Sequence, residues 1–240
     1  MLFLEKYKWV ARAWRYRLQV EKKEIEFLIN HLKPGQIAVD IGSHKGAYTY
    51  WMSKYVGKHG AVYAFEPQFM LYNKLKKVIE YSKLDNTFLY PIAFSSSIGK
   101  SNLIIPNKRP SPSASINRKK TFDDSIIEID ITTLDNFFCE KNKISVDYLK
   151  CDVEGHELEV LQGGKKFLNY CRPIISLESE ARHCGEDKVI EVFNLLNELD
   201  YEGYFHNGEK IMSIDNFSIF DYQLDPNKNI YINNFFFIPQ

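Results

Sequence analysis

Four carboxylates of this chain share one setting, at the end of an apolar run. Asp40 lies in the run 36–41, Glu66 follows 61–65, Asp152 follows 146–151 and Glu178 closes 173–178. Apolar, β-branched runs of this length read as parallel strands buried on both faces. In an open α/β sheet, ligands bind beyond the carboxyl ends of the strands, near the switch point. That rule gathers the four acids into one region. The first run continues as Asp40-Ile41-Gly42-Ser43-His44-Lys45-Gly46, with helical spacing from Ala47 to Val56. Gly42 and Gly46 stand where the backbone must turn tightly and admit a ligand. A dinucleotide site would read Gly-x-Gly-x-x-Gly, with the pyrophosphate on the helix N-terminus. Here the order is Asp-x-Gly-x-x-x-Gly, and His44 occupies the second glycine position. An acid at the strand end repels a pyrophosphate and suits a ligand carrying an ammonium group. Glu66, before Pro67, can accept both hydroxyl protons of a ribose.

S-adenosylmethionine has an ammonium, a sulfonium, a ribose diol and no phosphate, and it matches these requirements. The expected donor contacts are Asp40, Gly42, Ser43, Gly46, Glu66, Pro67, Ala93 and Asp152. Gly42 and Gly46 would admit the methionine part, Asp40 would hold the turn and the ammonium, Glu66 the ribose, and Ile92-Ala93 would flank the adenine. Tyr48 and Trp51 are near enough to face the cation; alternatively they pack in the helix core.

Further along the chain stands Val146-Asp147-Tyr148-Leu149-Lys150-Cys151-Asp152-Val153-Glu154-Gly155-His156-Glu157, continuing to Gly163-Gly164. Joined to Val39–Gly46 and Phe65-Glu66-Pro67, this resembles the FkbM family of S-adenosylmethionine-dependent methyltransferases over about residues 30–180. The Asp-Val-Glu-Gly-His-Glu run is the specific part. His44 departs from the Asn often found in the family. The resemblance implies transfer of a methyl group to a hydroxyl of a sugar, glycan or glycosylated natural product, in polysaccharide or natural-product biosynthesis. An NAD-dependent oxidoreductase and a non-catalytic partner protein on a similar sheet are the alternatives. The missing Gly-x-Gly-x-x-Gly argues against the first of these.

Methyl transfer to a neutral hydroxyl gains from a base. Asp152 and His156 are the candidates, four residues apart across a strand-to-helix turn. Imidazole has the right unperturbed pKa; a first-turn residue bonding the loop is the other reading of His156. Glu154 and Glu157 suit the positive end of a helix. No metal is expected. Asp152 and Glu178, with His156, would be the ligands if a divalent cation activated the acceptor instead. Glu180, Arg182 and His183 follow the next strand and either meet the acceptor or form a polar loop.

The elements that must position these groups alternate. Strands are expected at 36–41, 61–65, 87–92, 146–151 and 173–178, and helices at 46–56, 68–82, 133–140, 154–162 and 186–199. Alternation implies parallel βαβ units. Late strands at 201–205 and 230–238, one antiparallel, would complete a mostly parallel seven-stranded sheet with helices on both faces. Gly163-Gly164 reads as a helix C-cap. A hairpin with strands at 102–106 and 126–131 lies inside an insertion, 101–131. Its Pro- and Ser-rich, cationic connection 107–120 reads as a mobile loop, able to serve as a lid or simply solvated. The stretch 207–229 carries no clear pattern.

Residues 3–23 predict one helix, with Phe3, Tyr7, Val10, Trp14 and Leu18 on a stripe and seven cations nearby. The stripe is expected to pack on the protein's own sheet or a second subunit; a membrane surface is the alternative. A second helix spans 24–32.

At 240 residues the chain is read as a single domain, with 1–33 as a helical extension and 34–240 as the catalytic sheet. Thirty-one Lys and Arg balance thirty-one Asp and Glu, so charge gives no indication of nucleic acid. Four cysteines without Cys-x-x-Cys argue against a zinc site or a disulfide framework, and a reducing cytoplasm is expected. No apolar run is long enough to span a membrane.

Overall fold

A computed structural model describes residues 2–227 and 230–240. Met1, Lys228 and Asn229 lie outside the described residues, and with them the first residue of the expected extension and the end of the unpatterned stretch. The described strands are β1 Ile37–Ile41, β2 Ala61–Phe65, β3 Thr87–Tyr90, β4 Ala93–Phe94, β5 Gly99–Ile105, β6 Ser125–Thr132, β7 Tyr148–Cys151, β8 Ile174–Glu178, β9 Tyr201–His206, β10 Ile211–Ser213 and β11 Asn234–Pro239. The α-helices are α1 Leu2–Arg15, α2 Lys22–His31, α3 Ala47–Val56, α4 Phe69–Ser82, α5 Glu157–Gln162, α6 Lys165–Cys171, α7 Ala181–Cys184 and α8 Glu186–Glu198. The chain forms two compact units, Met1–Ala93 with Val146–Lys150, and Phe94–Ser145 with Cys151–Gln240.

In the first unit, β1, β2 and β3 pair in parallel, with Asp40 beside Ala64 and Ile41 beside Phe65. The segment before β7 joins on the other side of β1: Asp147 N–H donates to Ile37 O at 2.9 Å, and its carboxylate accepts from Ile37 N–H at 2.8 Å. Ala38 to Ile41 are all buried, as a strand covered on both faces requires. Helix α1 packs on α3 and α4. Trp9 is buried among Leu75, Val78 and Ile79, and Ala13 is fully buried.

Two expectations are corrected here. The stripe Phe3, Tyr7, Trp14 and Leu18 faces solvent, and the opposite face of α1, with Trp9 and Ala13, meets the unit. The expected helix 3–23 is also interrupted. It widens into a π turn at Tyr16–Val20 and breaks at Glu21, whose carboxylate accepts from Tyr48 Oη at 2.5 Å.

In the second unit, β11 runs antiparallel between β8 and β9, and β10 adds antiparallel to β9. This unit has one strand more than expected. The surplus strand, β10, falls in the unpatterned stretch. Phe193, Phe217, Phe235 and Phe237 interlock edge-on and tilted in this unit's core. Strands β5 and β6 form the inserted hairpin over 99–105 and 125–132. Its connection is tied down: Ser115 exchanges backbone bonds with Ile104, and Arg118 lies 3.5 Å from Asp124. Gly163 caps α5 as expected, but a Cβ there would lie 2.1 Å from Ser95 O. The glycine pair therefore also permits a close backbone pass.

Candidate active site

The first unit builds a carboxylate-lined turn after β1. Gly42 and Gly46 have φ of 78° and 73°, and His44 between them is also left-handed at 48°. Only glycine takes such angles without strain. Gly46 is further constrained, because a Cβ would lie 2.5 Å from Leu75 Cδ1 and 2.9 Å from Trp9 Nε1. Ser43 ties the turn to the end of β2: its N–H donates to Phe65 O at 2.9 Å and its hydroxyl to Asp40 O at 2.9 Å, while Phe65 N–H donates to Ser43 Oγ at 3.0 Å. Trp9 Nε1 donates to Gly46 O at 2.8 Å.

Glu66 is the centre of this turn. One oxygen accepts from His44 N–H and the other from Gln68 N–H, each at 2.8 Å. The Gln68 side chain also bonds this carboxylate, which keeps acceptor capacity for a further donor. Burial, opposed by those N–H groups and aided by the negative charge of Asp40, raises the carboxyl to about 7. Asp40 is fully buried and accepts from Thr49 Oγ1 at 2.5 Å, an anchor that the sequence reading missed. Pro67 precedes α4, which starts at Phe69, one residue later than expected. Ala93 is buried in β4. Tyr48 and Trp51 are taken up by packing: Lys150 Nζ lies 4.9 Å from the Tyr48 ring centroid, and Trp51 Nε1 donates to Ala13 O at 2.8 Å.

The second unit builds a polar turn after β7. The helix expected from 154 begins at Glu157, because residues 152–156 form a loop with Glu154 at φ 57° and Gly155 at 92°. Glu157 holds the loop by accepting from Val153 N–H at 3.0 Å and Gly155 N–H at 3.1 Å, and burial raises its carboxyl to about 7. A Cβ on Gly155 would approach His183 to 3.0 Å. From the inserted hairpin, Ser115 Oγ donates to Glu154 O at 2.7 Å and Asn117 Nδ2 to Gly155 O at 2.6 Å.

His156 is buried, with Asn117 Oδ1 at 3.1 Å from Nδ1 and Ser95 Oγ at 2.9 Å from Nε2. Because the Asn117 amide donates to Gly155, its oxygen accepts from Nδ1–H. That leaves Nε2 to accept from the Ser95 hydroxyl. Burial lowers the ring's pKa, with Lys188 acting in the same direction and Glu159 against it. The imidazole is therefore neutral at pH 7.

Beside this turn stand Glu154, Glu178 and Glu180. Burial, then the charges of Asp152, Glu180 and Glu157, raise Glu154 to about 8. Burial, then Asp152, raise Glu178 well above the usual range. Burial works against ionising Glu180, but hydrogen bonds from Glu178, Asn233 and Arg182 outweigh it and lower its pKa. Asn233 Nδ2 donates to Glu178 Oε1 at 2.8 Å and Glu180 Oε1 at 2.5 Å, and Tyr231 Oη to Glu180 Oε2 at 3.0 Å. His183 Nδ1 lies 3.1 Å from Glu154 Oε2. Ser95, Asn117, Tyr231 and Asn233 had no signal in the sequence beyond being polar. Among the described residues, no group of three or more His, Cys, Asp or Glu side chains is arranged to hold a metal ion.

A glycine turn after β1 with an acid closing β2, in a mostly parallel α/β chain with a late antiparallel strand, defines a class I methyltransferase fold. The model of the methyltransferase FkbM domain matches residues 40–204, and the chain belongs to that family of S-adenosylmethionine-dependent methyltransferases. No curated protein matches. Among solved structures, the fold is similar to methyltransferase FkbM from Methylobacillus flagellatus KT, with TM-score 0.55 and 13% identity over 94% of this chain and 52% of that one. This chain thus spans about half the length of that protein. It is also similar to SMU.1697c from Streptococcus mutans, solved in complex with SAH, with TM-score 0.53 and 14% identity over 91% and 97% of the two chains. An rRNA methylase from Streptococcus thermophilus gives TM-score 0.50 and 12% identity over 90% and 93%.

Proposed function

We propose that this methyltransferase acts on a hydroxyl group, of a sugar, glycan or glycosylated natural product, and that His156 takes the acceptor's proton. The observation that carries the reading is the Ser95–His156–Asn117 relay. It presents a neutral imidazole whose basic nitrogen already accepts from a hydroxyl at 2.9 Å.

The donor turn fits its cofactor. Left-handed glycines open the backbone, a buried carboxylate with spare acceptor capacity suits a ribose diol, and two acids suit a cationic ligand without phosphate. Bound there, S-adenosylmethionine supplies a methyl group activated on a sulfonium. Glu66 holds the ribose, Gly42, Ser43 and Gly46 line the methionine part, and Asp40 holds the turn against Thr49. Pro67 and Ala93 flank the adenosine. The SAH held by SMU.1697c supports this assignment.

On the acceptor side, Ser95 passes the hydroxyl proton to His156 Nε2, and Asn117 steadies the imidazolium from Nδ1. Asp152 orients the acceptor hydroxyl. The dense carboxyl and amide cluster of Glu178, Glu180 and Asn233 suits a polyhydroxylated ligand, which offers many donors. A divalent ion on Asp152 and Glu178 is the competing route to the same deprotonation. Turnover that responds to Mg²⁺ and chelator, with His156→Asn unimpaired, favours it. The test of the main reading is a screen of sugar and glycoside acceptors with S-adenosylmethionine. Methyl ether formation that His156→Asn slows by about 10²-fold or more, at unchanged donor affinity, supports it. Methylation confined to nitrogen or carbon acceptors refutes it.

A further inference from the structure

The outward face of α1 carries large apolar side chains where a surface helix ordinarily carries charge. Phe3, Leu4, Tyr7, Trp14, Leu18 and Val20 are 59%, 57%, 58%, 44%, 60% and 48% exposed. At 3.6 residues per turn, Phe3, Leu4, Tyr7 and Trp14 share the side opposite Trp9 and Ala13, the two residues that bury α1 in its own unit. Cations flank the apolar strip on both sides, with Lys8 and Arg15 along one edge and Lys6 and Arg17 along the other. Seven of the first 23 residues are Lys or Arg and two are Glu, in a chain whose formal net charge is zero. Both acids are engaged, Glu5 with Lys8 at 3.1 Å and Glu21 with Tyr48 Oη. The helix is no loose tail. Trp9 Nε1 bonds Gly46 O, and Trp51 Nε1 bonds Ala13 O, so the outward face is fixed before anything meets it. Arg17 lies over the rings of Trp14 and Trp51, at 5.3 and 4.6 Å from their centroids.

We infer that this face docks the protein on an anionic lipid surface. An apolar strip with aromatics at its centre and cations on its flanks matches a bilayer interface. Rings settle at headgroup level there, and Lys and Arg meet lipid phosphates. A second copy of the chain is a poorer occupant, because two-fold pairing of this strip would set its cationic flanks against each other. Among the described residues no helix is long and apolar enough to cross a membrane, so the attachment is to the surface.

The test is co-sedimentation of the full chain with vesicles of phosphatidylcholine alone, and of equal parts phosphatidylcholine and phosphatidylglycerol, at low and high salt. The wild type is expected to sediment with the anionic vesicles only, and to be released by salt. The triple variant Phe3→Ser, Tyr7→Ser, Leu18→Ser and the double variant Lys8→Glu, Arg15→Glu should each lose at least about tenfold in partitioning. Thermal melts and SAH titrations should match wild type. Absence of wild-type binding to anionic vesicles, or undiminished binding by both variants, overturns the inference. So does a wild-type dimer that the triple variant converts to monomer, which would assign the face to a second copy. The SAH titration keeps this outcome separate from the fate of the donor assignment.

Discussion

Glu66 concentrates the chemistry of the proposed donor turn in one side chain. Both its oxygens hold backbone N–H groups, and its carboxyl sits near pH 7. Replacing it with Gln sets an amide N–H against a backbone donor and removes the charge. We expect SAH affinity to fall by about ten- to hundredfold, the range of a lost charge-assisted bond, by calorimetric titration. A cationic ligand also favours the ionised form, so donor binding near pH 7 should release part of a proton. That appears as a binding enthalpy that changes between phosphate and Tris. At His156 the lowered pKa sets the acid limb of the rate profile. Turnover should hold down to below pH 6.5, the ordinary imidazole value, before falling. Ser95→Ala should lower kcat with little change in melting temperature if the hydroxyl relays the proton; a lowered melting temperature with intact kcat would leave it a packing role.

At the scale of elements, the N-terminal helix and the inserted hairpin both act on the turns rather than standing apart from them. Trp9→Phe keeps the buried ring and deletes the N–H that holds Gly46 O. A loss of about 1 kcal/mol lowers the melting temperature by about 2–4 °C in a chain of this size, and weaker SAH binding should accompany it. The hairpin, through Ser115 and Asn117, holds a loop in which a non-glycine residue, Glu154, is left-handed. Much of this was legible in the sequence. The strands, the two glycines and the carboxylates that end apolar runs follow from periodicity and turn chemistry. What was not legible was partnership. The α1 stripe has helical spacing whichever way it faces, and only Trp9 finding Leu75 and Gly46 decides which side is inward. The Pro- and Ser-rich 107–120 stretch reads as mobile until Ser115 and Asn117 find carbonyls nearly forty residues away. Glu154 to Gln162 has helical composition throughout, and only the left-handed pair 154–155 delays the start to Glu157.

Across the whole molecule several carboxyls have raised pKa values. Glu66 and Glu157 are raised to about 7 and Glu154 to about 8, against ordinary values of 4.5. A carboxyl whose folded pKa is raised binds more protons folded than unfolded. Its stabilisation is complete below the unfolded value and is lost as pH rises through the folded one. His156 and His183, with lowered pKa, act the other way, and their effect is confined to pH below about 6.5. Melting temperature is therefore expected to decline above pH 6.5 and to level off beyond about pH 8, by scanning calorimetry. A flat or rising profile would mean that these carboxyls ionise in the folded state.

The central claim is that the turn joining β1 to α3, closed by Glu66, holds a sulfonium nucleoside and not a dinucleotide. Calorimetric titration of the full chain with S-adenosylhomocysteine, with NAD as the control, tests it most directly. The account predicts micromolar binding of S-adenosylhomocysteine, lost in large part in Glu66→Gln, and no binding of NAD. Binding of NAD, or S-adenosylhomocysteine affinity indifferent to Glu66, would contradict it.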